Sequence, residues 1–320
     1  MRNIPALLLS IACWTLFPSA TLAEEDAKFE PRGSLIIVGG GDTPTVVQER
    51  LVALAGGPGK AKIAVLPMAS TRFDEEAREV IDELKQLKAE AVLVNLSRDV
   101  AKKESTAKHL EEFSGYWFLG GDQMRLAATL LGTRALEAIE RRFEEGAVVG
   151  GTSAGASVMS NAMLTGRGRR LKGPEAAELR KIARGMTDVA LGFGFFPGAI
   201  VDQHFMQRAR YNRLLSAVLD HPQLLGVGID EETALLVRPD GVWEVMGKHY
   251  VKVFDARRAR ILEDDDELAG ATDIRLHILP AGSLYSPKRR HALLPGGVMA
   301  FARGGGDRFT QVFRGVKFPA

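Results

Sequence analysis

An apolar run, Val148-Val149-Gly150, ends in Gly151-Thr152-Ser153-Ala154-Gly155, and small helix-compatible residues follow. A serine between two glycines at a strand-to-helix turn is the layout of a nucleophile elbow. The glycines allow close backbone approach, the hydroxyl projects from the turn, and the next amide, that of Ala154, points at a developing oxyanion. The pentapeptide alone is common, and an ordinary glycine-rich turn would read the same way. It gains meaning only if a base and an acid can reach Ser153, because an unassisted hydroxyl is a poor nucleophile.

Six histidines are available as the base. His109, His221, His249, His277 and His291 sit in polar or turn-like contexts that suit surface roles. His204 differs, because it follows the strand-like Ile200-Val201-Asp202-Gln203 and so falls near a strand's carboxyl end. Glu231 follows another such run ending at Ile229-Asp230. Asp230, Glu232, Glu175 and Glu178 compete with it as the acid that orients the imidazole. No His-x-x-x-His or comparable spacing suggests a metal, and no cofactor is expected.

The elements that must position these groups alternate. Ser34–Val38, Lys62–Pro67, Ala91–Asn95, Gly115–Leu119 and Ala147–Gly150 are apolar runs that predict buried strands. Between them, Val46–Ala55, Phe73–Leu87, Met124–Leu131 and Thr133–Glu145 read as helices. Continuous apolar strands alternating with helices predict a doubly wound, mostly parallel α/β sheet with both faces covered. Ligands bind such sheets at the carboxyl ends of the strands, where Gly39–Gly41, Gly120–Gln123 and Gly151–Gly155 all fall. A helix is expected over Ala156–Ala162 and another, carrying three arginines, over Met206–Leu219. Gly198–Asp202, Leu224–Asp230 and Thr233–Val237 also read as strands, and from Gly241 onward the short runs Val242–Val245, Tyr250–Phe254, Ile274–Leu279 and Val298–Ala302 are expected to form the antiparallel end of the same sheet.

The chain has 320 residues, 26% charged and 46% hydrophobic, with a formal net charge of +2. That is enough length for a large core and too little charge for a nucleic-acid field. Residues 1–23 read as a signal peptide: Arg2, an apolar stretch from Ile4 to Phe17, then a small-residue exit ending at Ala23. A lipoprotein reading centred on Cys13, the only cysteine, would truncate that apolar stretch. After signal removal the protein has no thiol and no segment for stable membrane insertion, and the expected address is periplasmic or extracellular. Residues 24–33 form a polar lead-in, 34–302 a single catalytic domain and 303–320 a tail. The basic stretch around Arg167–Lys172 reads as a solvated loop.

Four blocks carry a resemblance. Gly120-Gly121-Asp122-Gln123, Gly151-Thr152-Ser153-Ala154-Gly155-Ala156, Val201-Asp202-Gln203-His204-Phe205 and Gly228-Ile229-Asp230-Glu231 resemble the cyanophycinase family. It belongs to the serine peptidases that include aspartyl dipeptidase. The likeness spans roughly Leu35 to Phe254. It implies a flavodoxin-like, class I glutamine amidotransferase-like fold, and a triad of Ser153 as nucleophile, His204 as base and Glu231 as orienting acid. It also implies an oxyanion hole from the amides of Ala154 and Gly121, and a substrate pocket lined by Gln123, Thr152, Asp202, Gln203, Arg208, Arg210 and Arg213. The implied assembly is a homodimer.

The implied substrate is cyanophycin, a poly-aspartate backbone with arginine on each side-chain carboxyl, and the implied products are β-aspartyl-arginine dipeptides. An arginine fork suits the free carboxylate of each unit and Asp202 suits its guanidinium. Three arginines at i, i+2 and i+5 cannot share one helix face, so Arg210 and Arg213 are the expected pair for the pocket. The alternatives are an exported peptidase for other aspartyl or isoaspartyl peptides, and a catalytically silent relative that holds an anion at the elbow amides.

Overall fold

Five apolar runs become parallel strands because helices cover both faces. A computed structural model describes residues 33–168, 181–262 and 269–297. Strands β1 (Leu35–Val38), β2 (Lys62–Leu66), β3 (Glu90–Leu93), β4 (Gly115–Phe118) and β5 (Val148–Thr152) alternate with α1 (Thr45–Leu54), α2 (Asp74–Gln86), α3 (Arg98–Ala101), α4 (Glu104–Leu110), α5 (Gln123–Leu130) and α6 (Arg134–Glu145). The parallel order is β1-β5-β4-β2-β3. All four residues of β1 and all five of β5 are buried, which is why these strands show no polar alternation. The expected α/β class is the observed one. Helices α3 and α4 had no counterpart in the sequence reading.

After β5 come α7 (Ala154–Ser157), β6 (Ala162–Gly168), β7 (Thr187–Leu191), β8 (Ala199–Asp202), α8 (Tyr211–Asp220), β9 (Leu225–Ile229), β10 (Thr233–Val237), β11 (Trp243–Gly247) and β12 (Tyr250–Asp255). Beyond them are the short β13 (Arg260–Ile261) and β14 (Ala271–Thr272), then β15 (Arg275–Pro280), β16 (Leu284–Ser286) and β17 (His291–Leu293). Strands β10, β11, β16 and β17 extend the main sheet antiparallel from β1, giving nine strands.

The expected single sheet is corrected at one place. Strands β8, β9, β12 and β15 form a second sheet in the order β15-β12-β9-β8. Its β8 and β9 are parallel neighbours, joined by the crossover helix α8. The glycines of β9 let α8 and Phe205 settle directly onto the strand. A Cβ at Gly226 would meet Val218 at 2.4 Å, and one at Gly228 would meet the Phe205 ring at 2.6 Å. One apolar cluster runs through both sheets, joining Ile37 and Val149 to Val201, Val227 and Val253.

Two helix expectations also change. The helix after Ser153 stops at Ser157, and Ala162–Gly168 is a strand that pairs with β7. A short apolar run is ambiguous by periodicity, and its partner here lies some 25 residues away in sequence. The arginine-bearing helix begins only at Tyr211. Residues 206–210 form a turn, with positive φ at His204 and Ala209. The polar stretch around 166–185 falls largely outside the described residues, as do Val298–Ala302, Glu175 and Glu178 and the ends of the chain. Among the described residues no helix is long and apolar enough to cross a membrane.

Candidate active site

Ser153 sits where β5 turns into α7, with φ +53° and ψ −107°, a conformation that costs a non-glycine residue energy. Its amide donates to Val38 O at 3.1 Å, tying the elbow to the end of β1. Ala154 opens α7, so its N–H has no acceptor within the helix and remains available. Thr152 is buried, and its hydroxyl has no hydrogen-bond partner among the described residues.

His204 and Glu231 arrive from the second sheet. Because β8 and β9 lie side by side and parallel, their carboxyl ends place the two residues together, against the elbow of the main sheet. Ser153 Oγ lies 2.8 Å from His204 Nε2, and His204 Nδ1 lies 2.5 Å from Glu231 Oε1. A carboxylate accepts Nδ1–H, which leaves the Nε2 lone pair facing the serine hydroxyl; this tautomer follows from the hydrogen-bond network. Burial pushes the His204 pKa below its usual value. The Glu231 carboxylate opposes that shift, and the Arg208 charge adds to it.

The glycine turn after β1 is the floor of this pair, a role the sequence alone did not reveal. His204 N donates to Gly39 O at 2.6 Å, and Glu232 N donates to Gly40 O at 2.8 Å. The imidazole lies flat against Gly40, whose φ is +104°; a Cβ there would sit 2.2 Å from His204 Cε1. The sequence signal was present in three consecutive glycines at a strand end, but nothing local says which ring they must accommodate.

Asp230 supports the same region from inside. It is held by the buried ammonium of Lys252, and it accepts from Met206 N and Tyr250 N, both at 3.2 Å. It thus fastens the turn that carries His204 to the strand that carries Glu231. Burial lowers the Lys252 pKa, against the pull of Asp230. Glu232 pairs with Lys248. Of the described carboxylates considered as the acid, Glu231 is the one in contact with the imidazole.

The expected substrate-binding set divides. Asp202 is fully buried, and Arg213 clamps both its carboxylate oxygens, with Nε to Oδ2 at 2.9 Å. Neither can receive a ligand, so both are corrected to an internal ion pair; a buried carboxylate persists only when paired. Arg210 folds back onto Gln203, reaching its carbonyl and its Oε1 at 2.6 Å each, so Arg210 and Gln203 largely satisfy one another. Gln123 is buried and donates to Leu164 O at 2.8 Å, pinning β6. Arg208 is exposed and lies on the His204 turn, its amide donating to His204 O at 3.0 Å, while its guanidinium makes no hydrogen bond among the described residues. The expected pair Arg210 and Arg213 thus gives way to Arg208 as the accessible guanidinium. Gly121, with φ +131°, packs on Ala69 and sits beside the elbow. No group of three potential metal ligands occurs among the described residues.

Chemically, this arrangement can activate an alcohol. The imidazole can take the Ser153 proton as Oγ attacks, Glu231 can stabilise the resulting imidazolium, and the Ala154 amide can meet a developing oxyanion.

Similarity to known proteins points the same way. The profile of peptidase family S51 matches residues 35–245. A protein named cyanophycinase from Geminocystis herdmanii is 34% identical over 80% of this chain and 94% of its own length. One of the same name from Trichormus variabilis is also 34% identical, over 81% of this chain and 87% of its own. The crystal structure of a peptidase from an acI-B1 Actinobacterium covers 79% of this chain and 96% of that one, with a TM-score of 0.59 at 23% identity; that likeness speaks for the fold.

Proposed function

The chain belongs to peptidase family S51 and is a serine-type peptidase, and from that premise we propose that it hydrolyses cyanophycin from a chain end, releasing β-aspartyl-arginine dipeptides. The observation that carries the chemistry is the unbroken contact from Ser153 through His204 to Glu231. What supports the substrate is the pair of 34% identical relatives named for it, together with an exposed guanidinium, Arg208, beside the base.

In this reading neutral His204 removes the Ser153 proton as Oγ adds to the scissile backbone carbonyl. The tetrahedral oxyanion turns toward the amides of Ala154 and Gly121. His204 then protonates the leaving amine, and an acyl-enzyme remains on Ser153. Water, deprotonated by the same imidazole, attacks the ester and frees the serine. Glu231 keeps Nδ1 protonated throughout, so that Nε2 faces the hydroxyl. Arg208 receives a carboxylate of the substrate by charge-assisted hydrogen bonds.

The leading 23 residues support export, so that the polymer attacked is one released from other cells, and family likeness supports a homodimer. The deciding experiment is incubation with purified cyanophycin granules and mass analysis of the soluble products, with Ser153→Ala as control. Dipeptides of one composition, absent with the variant, are expected. Intact granules together with cleavage of short aspartyl or isoaspartyl peptides would move the substrate to those peptides. Binding without turnover by the unaltered protein would overturn the enzyme reading.

A further inference from the structure

We infer that Glu76 is a specificity residue of this cleft, the acceptor for the cationic side chain of the unit being cleaved. The inference rests on the peptidase reading above and deepens it.

Glu76 lies in the first turn of α2, which follows β2 on the flank of the elbow away from His204. Its Oε1 accepts from Gly120 N at 3.4 Å, a long contact. Both that oxygen and Ser153 Cβ approach the point from which a Gly120 side chain would project, at 3.4 Å and 3.6 Å. The carboxylate therefore stands no more than about 7 Å from Ser153 Cβ, beside the turn that carries Gly121. Other acidic groups nearby are engaged: Asp202 by Arg213, Asp230 by Lys252, Glu231 by His204 and Glu232 by Lys248. Glu76 has no cationic partner among the described residues, and it is half-exposed rather than sealed.

A helix N-terminus favours an acidic residue, which explains why Glu76 is tolerated at this position in α2 but not why its carboxylate turns toward the Gly120 amide beside the elbow. A negative charge beside a forming oxyanion opposes catalysis, since like charges repel most where water is excluded. A substrate cation held on Glu76 removes that penalty and converts it into selectivity: neutral or acidic units would leave the repulsion in place. With Arg208 exposed on the turn that carries His204, the elbow has an anion to one side and a cation near its base. Its complement is a unit that carries both a guanidinium and a carboxylate.

The test compares two aspartate oligomers, one bearing arginine on the side-chain carboxyl at the cleaved unit, the other bearing citrulline, which keeps the shape and loses the charge. The readout is the ratio of their kcat/KM values. The unaltered protein should prefer the arginine form about 10–100-fold, as expected for a charge-assisted contact. Glu76→Gln should bring the ratio below about 3-fold, and Glu76→Asp, which keeps the charge, should restore much of it. Thermal melts confirm that each variant is folded. An unchanged ratio in folded Glu76→Gln, including an equal loss on both oligomers, overturns the inference. Equal cleavage of both by the unaltered protein overturns it too while leaving the peptidase standing. Cleavage of neither overturns the substrate reading and this inference together.

Discussion

Replacing Gly40 with alanine adds one methyl group beneath the imidazole of His204. The new carbon would lie 2.2 Å from Cε1, 2.5 Å from Nε2 and 2.7 Å from Nδ1. Carbon contacts settle near about 3.5–4.0 Å, so the ring must retreat by about 1.3 Å or more. It is held from two sides, by Ser153 Oγ at 2.8 Å and Glu231 Oε1 at 2.5 Å, and it cannot retreat and keep both. A misplacement of about 1 Å in a catalytic array costs about 100-fold, and full loss of the base costs up to about 10⁴-fold. The expected fall in kcat/KM is therefore about 10²–10⁴, or about 3–5 kcal/mol of transition-state stabilisation. Alanine at φ +104° also costs about 1–2 kcal/mol of stability, which in a domain of this size lowers Tm by about 2–8 °C. Gly59→Ala is the matched control, because its φ is +80° and no atom lies within 4 Å of the new methyl. It should lose similar stability and keep full activity. The assay is initial-rate hydrolysis of a soluble aspartyl-arginine oligomer, with a thermal melt for each variant. A folded Gly40→Ala protein within about 3-fold of the unaltered kcat/KM would refute the placement of His204 against this turn.

Because burial holds the His204 pKa below 6.5, its neutral, proton-accepting form prevails above that pH. The kcat/KM should rise with pH through a midpoint below 6.5 and be level above about pH 7; a midpoint above 6.5 would contradict burial as the leading cause. Glu231→Gln can no longer hold Nδ1 protonated as a carboxylate does, and kcat should fall about 10³–10⁴-fold with little change in Tm, measured by steady-state kinetics and melting. Arg213→Met leaves the buried Asp202 charge with the longer 3.4 Å contact to Arg210, so it should cost about 3 kcal/mol in denaturant unfolding, whereas Arg208→Ala should raise KM and leave stability within about 0.5 kcal/mol. Lys252→Met should destabilise by a similar 3–5 kcal/mol, and pairing it with Asp230→Asn should recover part of that loss in the same unfolding assay.

Local chemistry made much of this legible. A run that is apolar at nearly every position announces a strand buried on both faces, and β1, β2, β4 and β5 were readable on that ground. Ser153 was readable because a strand ending in glycine-flanked serine has few uses. His204 and Glu231 stood out because each follows an apolar run, but spacing alone left Asp230, Glu232, Glu175 and Glu178 as rivals. The short α3 and α4, and the strand character of Ala162–Gly168, were not readable, because their stability comes from partners distant in sequence.

The sequence by itself determined the strand ends, the chemical groups they carry and the family to which they belong. The three-dimensional pairing of strands decided the rest. It split β8 and β9 from the main sheet, set them side by side and brought their ends over Gly40. It also sent two expected ligand-binding residues, Asp202 and Arg213, into each other's company in the interior, and left Arg208 outside. The reason is physical: a side chain's type and its place along a strand are local properties, whereas its neighbours depend on which backbone edges hydrogen-bond and which apolar faces close against one another.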